Sequence, residues 1–215
     1  MNPVDAALVA ARAGAVRARL DAAGGHDVGI VAVTKTFGPD AVDAAVAAGL
    51  TDVGENYAQE AAAKLQQIAT APTVHFIGRL QRNKVRLLAP HVHVWQTVDR
   101  PEVAAEIAKR APGARIMVQV DISGEDNKGG CDPADTESLV AHAAEAGLEV
   151  VGLMGVALLA EPEAARPGFA LLRRQVDELG LAECSMGMSA DLEIAVDEGA
   201  TMVRIGRDLF GERTG

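Results

Sequence analysis

Ile30-Val31-Ala32-Val33-Thr34-Lys35 is an unbroken run of small and β-branched residues that ends on a lysine. Such a run suits a strand buried on both faces of a parallel sheet, where no solvent face calls for alternate polar residues. The pattern therefore predicts a strand with Lys35 at its C-terminal end. Parallel α/β folds gather their chemistry at that edge, because the loops there vary while the strands hold them rigidly. A lysine whose stem is walled in by apolar side chains loses hydration of its ammonium. Its pKa falls, and the neutral amine can attack a carbonyl to form a Schiff base. The competing reading is structural, a lysine that snorkels its charge into water at a strand end.

Outward from this run the chain alternates strand and helix. An alanine-rich leading helix spans Pro3 to Leu20, with Val4, Leu8, Val16 and Leu20 at mainly helical spacing and Gly24-Gly25 as its stop. After Lys35, Pro39 opens a helix that Gly49 closes, and residues 51–54 form a second strand. Helices are then predicted at Tyr57–Ile68, Gln81–Ala89, from Pro101, at Pro133–Ala146, around Gly168–Leu179 and at Ser189–Glu198. Strands fall at Thr73–Ile77, Val92–Val98, Arg115–Val120, Val150–Val156, Cys184–Met186 and Thr201–Ile205, and Arg207 begins a final helical turn. Eight strand-helix units imply a parallel sheet and favour closure: a single (β/α)8 TIM barrel over residues 1–215 with an additional N-terminal helix. An open doubly wound sheet is the alternative, but Thr34-Lys35-Thr36-Phe37-Gly38-Pro39 is neither a dinucleotide fingerprint nor a P-loop.

Composition narrows the partners. With 215 residues and 49% hydrophobic content, the chain can bury one substantial core. A formal net charge of -10 argues against nucleic acid and anionic membrane, so any phosphate ligand must be held locally. Cys131 and Cys184 are far apart and have no metal-ligand spacing, which points to free thiols in a reducing compartment and no metal site. The N-terminus lacks a signal-peptide pattern and no apolar run is long enough to span a bilayer, so the expectation is a soluble, cytoplasmic protein, and a monomer.

Several residues are candidates for chemistry. Strand alternation places Arg204 on one face with Met202 and Gly206, inside the barrel, where it needs either a carboxylate or a polar ligand. Ser189 reads as a helix N-cap, and Gly206-Arg207 leads into the last helix. These loops follow strands seven and eight, a frequent phosphate site in barrels. Asn56 follows the second strand and either faces a ligand or begins a helix. His75 and His93 read as satisfied core histidines in strands. Arg79, Arg82, Lys84 and Arg86 form a basic face whose plain reading is a solvated helix surface. Asp121, Glu125 and Asp126 do not have the spacing of a calcium loop.

Five blocks in this order and spacing resemble the pyridoxal phosphate homeostasis proteins. They are Val31–Lys35; Gly54-Glu55-Asn56-Tyr57; His75–Gly78 with Leu80-Gln81 and Asn83-Lys84; Ser185–Ser189 with Asp191; and Val203–Gly206 with Phe210-Gly211. That resemblance implies a barrel like the N-terminal domain of alanine racemase, with pyridoxal 5'-phosphate (PLP) covalently bound to Lys35. It implies cofactor phosphate near Ser189, Gly206 and Arg207, Arg204 toward the pyridine nitrogen, and Asn56 as a neighbour of the ring. Arg79 and Arg82, and Gly155-Val156, depart from the commoner pattern without removing a proposed ligand. Three functions are then in play: a carrier that buffers PLP or delivers it to apo-enzymes without turnover, a PLP-dependent racemase or decarboxylase, and a cofactor-free aldolase. With Gly215 directly after the eighth unit, the expectation is a cofactor face open to water, where carbanion chemistry is poorly protected. The carrier is the expectation.

Overall fold

The computed structural model describes residues 4–124, 129–157 and 161–211; Pro3, Glu125 and Asp126 lie outside them. The opening run forms β1 (Gly29–Val33). Among the described residues it is followed by β2 (Asp52–Glu55), β3 (Thr73–Phe76), β4 (Val94–Val98), β5 (Arg115–Val120), β6 (Glu149–Gly155), β7 (Glu183–Ser185) and β8 (Met202–Ile205). These strands close into a barrel in sequence order, all neighbours parallel, with β8 pairing back onto β1 through Val31↔Arg204 and Ala32↔Ile205. The open-sheet alternative is excluded.

Helices between the strands are α2 (Pro39–Ala47), α3 (Ala58–Lys64), α4 (Val85–Leu88), α5 (Pro101–Arg110), α6 (Thr136–Glu145), α7 (Arg166–Glu178) and α8 (Leu192–Asp197). The additional α1 (Ala6–Ala22) precedes β1 and α9 (Arg207–Phe210) follows β8. Asp5 caps α1 by accepting from the amides of Ala7 and Leu8 at 2.9 and 3.2 Å. The buried stripe of this helix is Val9, Ala13, Val16 and Leu20, and Leu8, counted on that stripe from sequence, is 46% exposed. Ala13 completes the buried stripe, which spacing of large apolar residues alone does not reveal.

β1 shows why an all-apolar strand fits here. Ile30 and Ala32 face the helices in the large outer core, whereas Val31 points inward, where its side chain and that of Ile77 occupy the space left by Gly54. Inside the barrel Val94, Met117, Val151 and Met154 form a separate apolar plug. Three expectations about element ends change. The helix after β2 stops at Lys64 rather than Ile68, because the Asp43 carboxylate takes the amides of Ala69 and Thr70 and turns the chain. Residues 82–84 form a 3-10 turn before α4 instead of one continuous helix. His93 precedes β4, is exposed, and accepts the Val74 amide at 3.0 Å, so it is not a core histidine.

Candidate functional site

Lys35 lies two residues past β1, half-buried at the C-terminal edge of the barrel. Val31 and Val33 of β1 pair with Asp52 and Gly54 of β2, so continuing the register sets Lys35 beside Asn56. On the other side, Gly206 follows Arg204, the partner of Val31, and a side chain added at Gly206 would reach 3.4 Å from Val33. Phe37 and Phe210 pack with tilted rings, 5.3 Å between centroids, tying the loop after Lys35 to α9. Lys35, Asn56, Gly206 and Arg207 thus converge on one side of the barrel mouth.

Asn56 is not a helix cap: α3 has Tyr57 at that position. Its Oδ1 is buried and accepts no hydrogen bond, an atom that ordinarily finds a partner. Gly78 allows this placement, since any side chain there would collide with the Asn56 carbonyl. At the eighth strand the alternation places Arg204 inside the barrel, 5% exposed. Its guanidinium donates to Ser185 Oγ and to the Gly155 carbonyl, both at 2.7 Å. Burial lowers its pKa to about 10, against the pull of Asp191. From Ser185 the chain of donors runs on: Ser185 Oγ to Gln96 Oε1 at 2.8 Å, Gln96 to His75 Nδ1 at 2.8 Å, and His75 Nε2 to Asp52 at 2.9 Å. His75 is therefore a satisfied buried histidine, and the chain of hydrogen bonds links Arg204 to Asp52. The Asp52 carboxyl is held below its usual pKa by the His75 hydrogen bond.

Ser189 does not cap α8. The chain makes a further turn, closed by Asp191 N to the Met188 carbonyl at 3.2 Å and by the Asp191 carboxylate on Met188 N at 2.6 Å, so the helix starts only at Leu192. Ser189 remains half-buried in the loop after β7. Gly206 does begin α9, with the amides of Arg207 and Asp208 in the first turn, where helix geometry leaves N–H groups without an intrahelical acceptor. Arg207 itself is exposed, as are Arg79, Arg82 and Arg86 of the basic face. Burial pushes Cys184 up to about 12 and Cys131 upward, so both thiols stay protonated at neutral pH.

Two groups escaped the sequence reading. Arg19 of α1 donates to Glu193 at 2.8 and 3.0 Å, to Asp208 at 2.7 Å and to the Ser189 carbonyl at 3.0 Å, joining the loops after β7 and β8. Behind Lys35, outside the barrel wall, Glu55 is 0% exposed and Lys64 4%. Lys64 Nζ donates to Glu55 Oε1 at 2.8 Å, to Glu60 Oε1 at 2.9 Å and to the Thr34 carbonyl at 2.7 Å. Glu60 also accepts the Thr36 amide at 2.6 Å, and Thr34 Oγ1 donates to Glu55 at 2.6 Å. A charge pair only in part compensates burial here: desolvation raises the Glu55 pKa against the opposing pull of Lys64. Sequence gave one hint, a lysine four residues after a glutamate on a short helix, which is more often a surface pair.

Residues 4–214 match the family described as alanine racemase, N-terminal domain. The pyridoxal phosphate homeostasis protein of Pseudomonas aeruginosa is 43% identical over 197 residues, covering 86% of this chain and 85% of that one. This chain belongs to that family. The Aquifex aeolicus member is 40% identical over 197 residues, with 86% of each chain covered. A structure of the family's relative PipY from Synechococcus elongatus, with PLP bound, superposes with a TM-score of 0.81 at 32% identity, covering 94% of this chain and 100% of PipY.

Proposed function

We propose that the chain binds pyridoxal 5'-phosphate at the barrel mouth, covalently through Lys35, and serves as a carrier that buffers the cofactor within the cell or delivers it to apo-enzymes without turning over a substrate. The observation that carries this reading is the convergence, on adjoining strand ends, of an amine, a buried amide oxygen without a partner and a helix start. Those features fit an aromatic aldehyde with a dianionic tail. When bound, PLP supplies an electrophilic carbonyl for a primary amine. Lys35 offers that amine, and Asn56 offers its Oδ1 alongside. Ser189, Gly206 and Arg207 offer the hydroxyl and first-turn amides suited to a phosphate. Arg204 stands inside the barrel on Ser185 and the Gly155 carbonyl; a guanidinium keeps its protons, so beside a ring nitrogen it would leave that nitrogen unprotonated and the cofactor a weak electron sink. That weakness, with relatives named as homeostasis proteins, supports holding over catalysis.

The test is direct. Purified protein incubated with PLP is expected to gain visible absorbance, borohydride to fix one PLP mass on the peptide containing Lys35, and Lys35→Ala to abolish both. A colourless, untrapped wild type would overturn the proposal. Exchange of the α-hydrogen of single amino-acid enantiomers at enzymatic rates would assign the site to a racemase instead, and release of carbon dioxide from them to a decarboxylase.

A further inference from the structure

The loop that carries Lys35 is strained and pinned from behind. Thr36 is, among the described residues, the non-glycine residue with positive φ, at 69°. For a β-branched residue this left-handed conformation is disfavoured and persists only where its surroundings over-determine it. Those surroundings are the turn itself, closed by the Phe37 amide on the Thr34 carbonyl at 3.1 Å, and the Lys64 cluster behind it. The cluster's contacts fall on the peptide groups either side of Lys35: the Thr34 carbonyl accepts a hydrogen bond from Lys64, and the Thr36 amide donates one to Glu60. All three ammonium protons of Lys64 are used, on Thr34, Glu55 and Glu60. Two atoms of the same cluster, Thr36 Oγ1 and Glu55 Oε2, are buried without partners, so the arrangement is not the one that best satisfies its own polar groups.

We infer that Lys64 and Glu60 are positioning residues for Lys35: together they lock Thr34–Thr36 in the strained turn that presents the Lys35 amine to its carbonyl ligand. The inference rests on the PLP-binding reading above. It concerns backbone placement and not the electric field of the cluster, and the two make opposite forecasts. Losing Lys64 removes a positive charge near the loop and losing Glu60 removes a negative one. A field acting on the amine would be shifted in opposite senses, whereas a lost backbone anchor weakens the site both times.

The experiment measures PLP affinity by absorbance titration and the fraction trapped on Lys35 by borohydride in wild type, Lys64→Met, Glu60→Ala, and each combined with Thr36→Gly. Unfolding curves establish that each variant is folded. Glu60 is partly exposed, so Glu60→Ala decides the matter if Lys64→Met fails to fold. Both single variants are expected to weaken PLP affinity by about tenfold. Thr36→Gly, which adopts positive φ without strain, is expected to recover about threefold or more of that loss. Folded single variants with wild-type affinity and trapping, changes of opposite sign, or no recovery by glycine would each overturn the inference. Failure of the wild type itself to be trapped would instead remove the PLP-binding reading, and the inference with it.

Discussion

The two sides of the barrel mouth are held by clamps of similar chemistry in different solvents. Behind Lys35 stands Lys64, its side chain 3% exposed, joined to Glu55 and Glu60. Behind the loops after β7 and β8 stands Arg19, 37% exposed, joined to Glu193 and Asp208. Each ties a main-chain carbonyl of its loop, Thr34 or Ser189, to two carboxylates. The buried clamp gains strong local electrostatics and carries a large desolvation cost. The exposed one is cheap to form, screened by salt, and depends on the bidentate geometry of a guanidinium. The loop that carries Lys35 is thereby fixed by interactions that solvent cannot compete with, while the loops after β7 and β8 are fixed by interactions that remain adjustable.

Unfolding in urea is the strongest way to break this comparison. Lys64→Met leaves Glu55 buried and uncompensated, and is expected to cost about 3 kcal/mol, with little dependence on salt. Arg19→Ala is expected to cost about 1 kcal/mol at low salt and less at high salt, since its partners stay hydrated. Equal costs, or equal salt dependence, would erase the distinction between the clamps.

A finer contrast lies in pH. The Arg19 hydrogen bond holds the Glu193 carboxyl below its usual range, whereas burial holds Glu55 above it. Below the ordinary glutamate value of about 4.3, the unfolded chain binds a proton that folded Glu193 still refuses, so its contribution is present above that pH and is lost as the pH falls through the folded value. For Glu55 the folded chain retains a proton that the unfolded chain has released, so stability falls as the pH rises from about 4.3 to its raised folded value. Stability measured across this range against Glu193→Gln and Glu55→Gln should therefore show slopes of opposite sign, the Glu193 one small because that side chain is half in water.

Much of this was written in local sequence. The apolar run into Lys35, the proline and glycine punctuation of the helices and the eightfold alternation specify the barrel, and the parity of Met202, Arg204 and Gly206 turns the arginine inward. The start of α9 at Gly206 was legible because glycine and the break in apolar pattern coincide there. Ser189 was misleading: a serine before a helical pattern looks like a cap, but Asp191 supplies a competing turn of its own and delays the helix. Arg19 was illegible because Glu193 lies 174 residues away; the spacing of Glu60 and Lys64 suggests a helix pair, but no spacing encodes the meeting of Lys64 with the Thr34 carbonyl 30 residues away or the burial of Lys64 and Glu55.

What the chain decides alone is therefore periodic: which stretches extend, which coil, and which residue ends a strand, all consequences of short-range sterics and apolar spacing. Closure of the barrel decides the rest. Only when β8 meets β1 do Gly206 and Arg204 come beside the strand that carries Lys35, and only in the assembled fold does Lys64 of α3 meet Glu55 and the Thr34 carbonyl out of water. Burial turns Lys64, a residue that would be unremarkable on a solvated helix, into the support of a strained turn, because desolvation is a property of the assembled fold and not of any residue in it.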